Sequence, residues 1–263
     1  MPRFEPVDDP ADPRVADYLA IRDRDLMNGH QGRFAAEGET VVTVLLGNAR
    51  FRASSILVAE NRVAALAPLL GRAGDIPIYV AGQSLMNAIV GFPIHRGLIA
   101  LGERGPPLDA DRLLAALPPL VVGLVGIANH DNMGGIFRNA AAFGAGAVLL
   151  DDTCCDPLYR KAIRVSVGGA LKVPFARAGS GLDLVGRLRG AGYLPLGLTP
   201  RGMLRLDEVD RTRPLAVVLG TEGPGLPDAV LDGTQTVRID MSGGFDSLNV
   251  ATTSGIALYQ LTR

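Results

Sequence analysis

The chain of 263 residues carries 26 basic and 27 acidic side chains, a formal net charge of −1, with 48% hydrophobic and 20% charged residues. That is material for one large domain or two modest ones, and the balance argues against a protein that coats nucleic acid through bulk positive charge. Aromatic residues make up 5% and tryptophan is absent, which disfavours binding of single strands on stacked aromatic platforms.

Lysine occurs only at Lys161 and Lys172, and every other basic residue is arginine. The arginine fork suits phosphate and carboxylate, although a GC-rich coding bias explains the same preference. Cys154 and Cys155 are adjacent and are the only cysteines, so neither a disulfide framework nor a CxxC zinc site is expected. His30, His95 and His130 are scattered, and no metal motif is expected either. The opening MPRFEPVDDPADPR lacks the order of a signal peptide. The longest apolar run, LPPLVVGLVGIA, is too short for a bilayer and contains prolines. These features predict a cytoplasmic, reducing location and no membrane span.

In chain order, a polar leader and the segment DYLAIRDRDL come first. GRFAAEGETVVTVLL shows apolar residues at helical spacing. FRASSILVAE and IPIYVAG read as strands, and HRGLIALGER as a strand end. ERGPPLDADRLLAALPPL, residues 103–120, is the best boundary: Gly-Pro-Pro, a short helix with Asp109 as N-cap, then Pro118-Pro119. Beyond it, strands and helices alternate. VVGLVGI (121–127) is a strand, GGIFRNAAAFG (134–144) a helix with a Gly stop, and AVLLDD (147–152) a strand. DPLYRKAIRVSVG begins helically with Pro157 in the first turn. LKVPFA is a short strand and DLVGRLRGAG a helix. YLPLGLTP, LAVVLG and QTVRID are strands, and LNVATTSGIALYQLT is the closing helix. The fold class is therefore α/β with a mostly parallel sheet covered on both faces. Ligands in such sheets bind beyond the carboxyl ends of the strands.

Three polar clusters fall at such ends. In NHDNMGGIFRNA, Asn132, Gly134 and Arg138 are spaced N-x-G-x-x-x-R; Gly134-Gly135 would open a helix start to an anion, with the Arg138 fork nearby. A capped helix with a surface arginine accounts for the same pattern. In VVLGTEGPGLPDAV, a strand runs into Gly220, Glu222 and Gly223-Pro224-Gly225, either a ligand-approaching turn or a plain strand-to-helix turn with an exposed Glu. In IDMSGGFDSLNV, Ser247 is a natural N-cap, but Asn249, disfavoured inside a helix, needs a partner. Asp151-Asp152 read as a solvated strand end rather than a metal site. GAGAVL follows a helix and fails as a dinucleotide fingerprint. No nucleophile elbow gives Ser247 a hydrolase context.

Together and in this order, the clusters resemble the SpoU/TrmH family of RNA ribose 2'-O-methyltransferases, of the SPOUT superfamily. The resemblance covers residues 119–263 and rests on N-x-G-x-x-x-R at 132–138, RKAIRVSVGGALKVPF at 160–175, LGTEGPGL at 219–226 and IDMSGGFDSLNV at 239–250. GRFAAEGETVV and HRGLIALGER are similar, more loosely, to the L30e-like substrate-binding domain of many members. The resemblance implies an L30e-like RNA-binding domain over residues 1–105, a linker over 106–118 and a methyltransferase domain over 119–263. It also implies a C-terminal trefoil knot, S-adenosylmethionine (AdoMet) as cofactor, no metal, and a homodimer with active sites at the interface.

By position it implies that Thr199, Gly220, Ile239, Met241 and Leu248 line the cofactor pocket. Asn132, Arg138, Glu222, Ser247 and Asn249 match the family's active-site positions. Arg138 would hold an RNA phosphate and stabilise the developing alkoxide, Asn132 would orient the ribose or Arg138, and Glu222 would fix the network. Ser247 and Asn249 would hydrogen-bond the loop, cofactor or substrate. Two departures stand out: Asp240 where the family commonly has Pro, and Ala251-Thr252-Thr253 where it commonly has S-V-A. The expected substrate is rRNA more than tRNA. A SPOUT protein that binds RNA without catalysis, and one that methylates a base, are the alternatives. Arg22, Arg24 and Arg33 are candidate phosphate contacts.

Overall fold

The computed structural model describes residues 2–19, 21, 32–242 and 247–263. Arg22, Arg24 and His30 lie outside the described residues. By backbone contacts the chain divides into two compact units, residues 1–106 with 158–171, and residues 107–157 with 172–263.

In the first unit, β1 (Arg3–Pro6), β2 (Arg33–Glu37), β3 (Arg52–Ala59), β4 (Pro77–Ala81) and β5 (Leu98–Glu103) form one sheet in the order β1-β4-β3-β5-β2. β1, β4 and β3 pair in parallel, while β5 runs antiparallel to both β3 and β2. Helices α1 (Glu39–Leu46), α2 (Val63–Leu70) and α3 (Gln83–Val90) connect them. GRFAAEGETVVTVLL is thus a strand followed by a helix rather than one helix. The break is Gly38, whose φ of 90° lies where side chains are strained. HRGLIALGER is likewise a full strand, β5, held on both sides. The buried Glu37 is matched by Arg160 of the helix Arg160–Val165, whose Nη1 donates to Glu37 Oε2 at 2.5 Å. Arg33 is paired with Asp17.

The second unit opens with α4 (Ala110–Ala115), where Asp109 accepts from Arg112 N at 2.8 Å as the N-cap. Its sheet has seven strands, all paired in parallel, in the order β10-β12-β9-β11-β6-β7-β8. They are β6 (Leu120–Leu124), β7 (Ala147–Leu150), β8 (Phe175–Arg177), β9 (Leu194–Leu198), β10 (Leu204–Arg205), β11 (Leu215–Leu219) and β12 (Gln235–Arg238). The central strands LVVGL, AVLL and LAVVL are buried at every residue, as sheets covered on both faces require. α5 (His130–Ala142), α6 (Gly181–Gly190), α7 (Asp228–Leu231) and α8 (Val250–Leu261) complete the unit.

Three local readings change. α5 begins at His130 with Asn129 as its cap, so Gly134 and Gly135 sit inside the helix rather than at its mouth. Gly135 serves packing: a Cβ there would lie 2.6 Å from Ala251 Cβ on α8. The helix expected from Pro157 onward starts only at Arg160. Asp151 is not solvated but 4% exposed; its Oδ1 accepts from the backbone N–H groups of Gly126, Thr153 and Cys154 at 2.9–3.1 Å. That pins the turn after β7 to the loop between β6 and α5. Cys154 continues the brace, with its Sγ accepting from Ile127 N and donating to Leu124 O, both at 3.3 Å.

Candidate active site

Adjacent strands β12, β9 and β11 deliver their carboxyl ends to one side of the parallel sheet. β11 runs into Gly220-Thr221-Glu222 and then a tight turn in which Gly225 N donates to Thr221 O at 3.1 Å. Gly223 and Gly225 take φ of 85° and 74°, and a Cβ on Gly220 would lie 2.4 Å from the Gly225 carbonyl carbon. The glycines of LGTEGPGL are therefore dictated by the doubling back of the chain. β9 ends in Thr199-Pro200 and β12 in Ile239-Asp240-Met241. With the start of α8, these ends enclose a cavity of about 340 Å³.

Thr199, Gly220, Ile239, Met241 and Leu248 all line this cavity, and so do Glu222 and Ser247. Pro200, Thr221, Val250 and Thr253 line it as well and were not anticipated. Thr221 sits inside LGTEGPGL, and Thr253 inside Ala251-Thr252-Thr253, which stands where the family commonly has S-V-A. Thr253 Oγ1 donates to Asn249 O at 3.1 Å, which ties its hydroxyl to the helix start beside the cavity.

Ser247 does not cap the closing helix. Asn249 does, with Oδ1 accepting from Ala251 N at 3.0 Å and Thr252 N at 3.1 Å. Its Nδ2 donates to Asn132 Oδ1 at 2.9 Å and to Glu222 Oε1 at 2.6 Å. An amide offers two donor hydrogens, and both are used. One side chain therefore joins the strand-end turn, helix α5 and helix α8, and meets the requirement that Asn249 have a partner. Asn132 is buried (7% exposed) and its own N–H is capped by Asn129 Oδ1 at 3.3 Å.

The seating of α8 on α5 holds this join in register. Asn139 Nδ2 donates to Ala251 O at 2.7 Å and to Ser254 Oγ at 2.9 Å, and Ser254 is fully buried. Arg138 is not brought to the cavity. Six residues beyond Asn132 on a helix of 3.6 residues per turn, it points about 120° away. It is exposed, without a hydrogen bond or ion pair among the described residues. Phe245 and Asp246 of the third cluster lie outside the described residues. Among the described residues no group of three His, Cys, Asp or Glu side chains could hold a metal ion, and no helix is long and apolar enough to cross a membrane.

A parallel sheet with a ligand-sized cavity at its strand ends, joined through Glu222 on its lining to Asn249 and Asn132, which do not line it, is the architecture of a small-molecule-binding α/β protein. Residues 119–259 match the model of the SpoU rRNA methylase family. The chain is 39% identical over 265 residues to a protein of Mycobacterium tuberculosis named as an uncharacterized tRNA/rRNA methyltransferase, covering 97% of this chain and 90% of that one. It is similar to a solved RNA 2'-O ribose methyltransferase at 26% identity, with a TM-score of 0.78 and 98% of each chain covered. An AdoMet-bound rRNA methyltransferase from Sinorhizobium meliloti shares the fold at 23% identity, with a TM-score of 0.79 and 98% and 97% of the two chains covered. The chain belongs to the SpoU methylase family.

Proposed function

We propose that this protein transfers a methyl group from AdoMet to a ribose 2'-hydroxyl of RNA, rRNA in preference to tRNA. The observation that carries the reading is Asn249, which binds Asn132 and Glu222 at the rim of the cavity that all five cofactor candidates line. The cavity fits the cofactor. Its volume is in the range of small-ligand sites, and Leu198, Leu219, Ile239 and Leu248 supply apolar walls beside the side-chain-free backbone at Gly220. AdoMet supplies a methyl group on a positively charged sulfur.

The ribose hydroxyl is a poor nucleophile until its proton is withdrawn, and among the described residues neither His nor Cys lines the cavity. Positioning therefore carries much of the rate. Glu222 and Asn249 hold the rim rigid, and Ser247 offers a hydroxyl to the cofactor or substrate. Arg138 holds an RNA phosphate through its fork and stabilises the alkoxide as it develops.

The exposed placement of Arg138, turned from its own cavity, supports a homodimer in which each copy lends Arg138 to the other's site. Ile256 and Tyr259, exposed apolar residues on α8, and the Tyr259–Phe143 edge contact supply a surface for that pairing. The first unit is the RNA-binding, L30e-like domain, and the methyltransferase domain carries the trefoil knot. A reducing cytoplasm suits the two free cysteines.

Arg138→Ala tests the assignment. Methylation is lost while circular dichroism is unchanged; retained activity refutes the role. Nuclease digestion with mass spectrometry of the product identifies ribose methylation, and a methylated base instead rejects it. Ribose-methylation maps of total RNA with and without the gene identify the target.

A further inference from the structure

Two walls of the cavity are joined by charge. Ile239 and Met241 line one wall, and the residue between them is Asp240. Its carboxylate meets Arg238 Nε at 3.0 Å and Arg205 Nε at 3.4 Å. Arg238 Nη1 donates in turn to the carbonyls of Gly202 at 2.9 Å and Met203 at 3.0 Å. Those carbonyls belong to the segment after β9 whose first residues, Thr199 and Pro200, form another wall. Gly202 permits this close approach, since a Cβ there would lie 2.3 Å from the Val237 carbonyl carbon.

Arg205 is anchored before it reaches Asp240. Its guanidinium binds Asp207 at 3.0 and 3.1 Å, and its backbone N–H binds Glu208 Oε2 at 2.8 Å. Asp240 thus sits between two fixed guanidiniums, one on the edge strand β10 and one on β12. All three side chains are a third to a half exposed, so the network is open to screening by salt.

We propose that Asp240 is a positioning residue for the cofactor. With Arg238 and Arg205 it clamps the wall at residues 239–241 to the segment at residues 199–203, so that AdoMet affinity has an electrostatic, salt-dependent share. The proposal rests on reading this cavity as the AdoMet site. An isolated surface ion pair contributes little. This one differs in joining two segments that each line the cavity.

Calorimetric titration of AdoMet into the full-length protein tests it, with wild type, Asp240→Asn, Arg205→Gln and, as control, Asp111→Asn. Asp111 makes a similar exposed ion pair with Arg187, away from this cavity. At low salt, Asp240→Asn and Arg205→Gln weaken AdoMet by about fivefold, the scale of one exposed charge interaction. The difference closes near 1 M salt, where the screening length falls to about 3 Å, and Asp111→Asn matches wild type throughout. Wild-type affinity retained by Asp240→Asn at low salt overturns the clamp, as does a loss that persists unchanged at high salt. A wild-type protein that binds no AdoMet overturns the cofactor reading and the clamp together.

Discussion

Asn249 donates to Glu222 across 2.6 Å while the same side chain caps helix α8. Its Oδ1 faces two backbone N–H groups and its Nδ2 faces two oxygen acceptors, so only one orientation of the amide satisfies the network. The cap and the site are therefore two ends of one side chain.

These two ends separate by mutation. Asn249→Asp keeps a good helix cap but replaces the donor with an oxygen facing Glu222. Its thermal midpoint should fall only through the two carboxylates that then face each other across the 2.6 Å to Glu222, the cap being kept, while methyl transfer falls about 100-fold, the scale of a site displaced by about 1 Å. Asn249→Ala should lose activity and in addition about 1 kcal/mol of stability from the missing cap. Thermal unfolding and a radiolabelled methyl-transfer assay on the same preparations check both.

Gly135 of α5 packs directly against Ala251 of α8. Gly135→Ala puts a Cβ 2.6 Å from that of Ala251, and neither atom has a flexible end that can move aside. The helices must part, at a cost of about 1–3 kcal/mol, despite the better helix propensity of Ala. Urea denaturation should show the midpoint falling rather than rising.

Asn139 and Ser254 form the buried polar seam of the same helix pair. Asn139→Ala removes two hydrogen bonds, to Ala251 O and Ser254 Oγ, and should cost about 1–3 kcal/mol by chemical denaturation. Asn139→Ala combined with Ser254→Ala should cost less than the sum of the two singles, because the second change removes a partner already stranded.

Cys154 is a protonated, structural thiol. Burial first, and then the neighbouring Asp151 carboxylate, push its pKa up to about 12, and burial raises Cys155 to about 11. In the unfolded chain both thiols ionise near 9. Folding stability from these groups is then fully present below pH 9 and is lost as pH rises through the folded values, because the unfolded state releases its protons first. Denaturation midpoints should decline above pH 9 and do so less in Cys154→Ser. A thiol reagent at pH 8 should modify Cys154 only after unfolding.

Much of the site was legible because its residues lie at the ends of apolar runs. VVLG and LGLT are short and end in Gly and Thr, which became Gly220 and Thr199 on the cavity wall, and the apolar end of VRID supplied Ile239 beside them. Misreadings came where two local rules compete. Ser247 and Asn249 both have side chains that cap helices, and Asn249 takes the cap while its amide also binds Asn132 and Glu222. GRFAAEGETVVTVLL satisfied a helical period across a strand because one residue, Gly38, turns the chain at a φ of 90°. Asp151 read as solvated because nothing in its neighbours announces that Gly126, remote in sequence, needs an acceptor.

The sequence by itself determined the alternation of strands and helices, the parallel character of the second sheet and the residue types gathered at its strand ends. Those depend on period, punctuation and capping chemistry, which act over a few residues. Tertiary structure alone decided the strand order β10-β12-β9-β11-β6-β7-β8, the union of three distant motifs at Asn249 and the turning of Arg138 away from its own cavity. Parallel strands pair only through long crossovers, so their neighbours are chosen by how helices such as α5 and α8 pack, where a missing Cβ at Gly135 sets the distance and Asn139 sets the register.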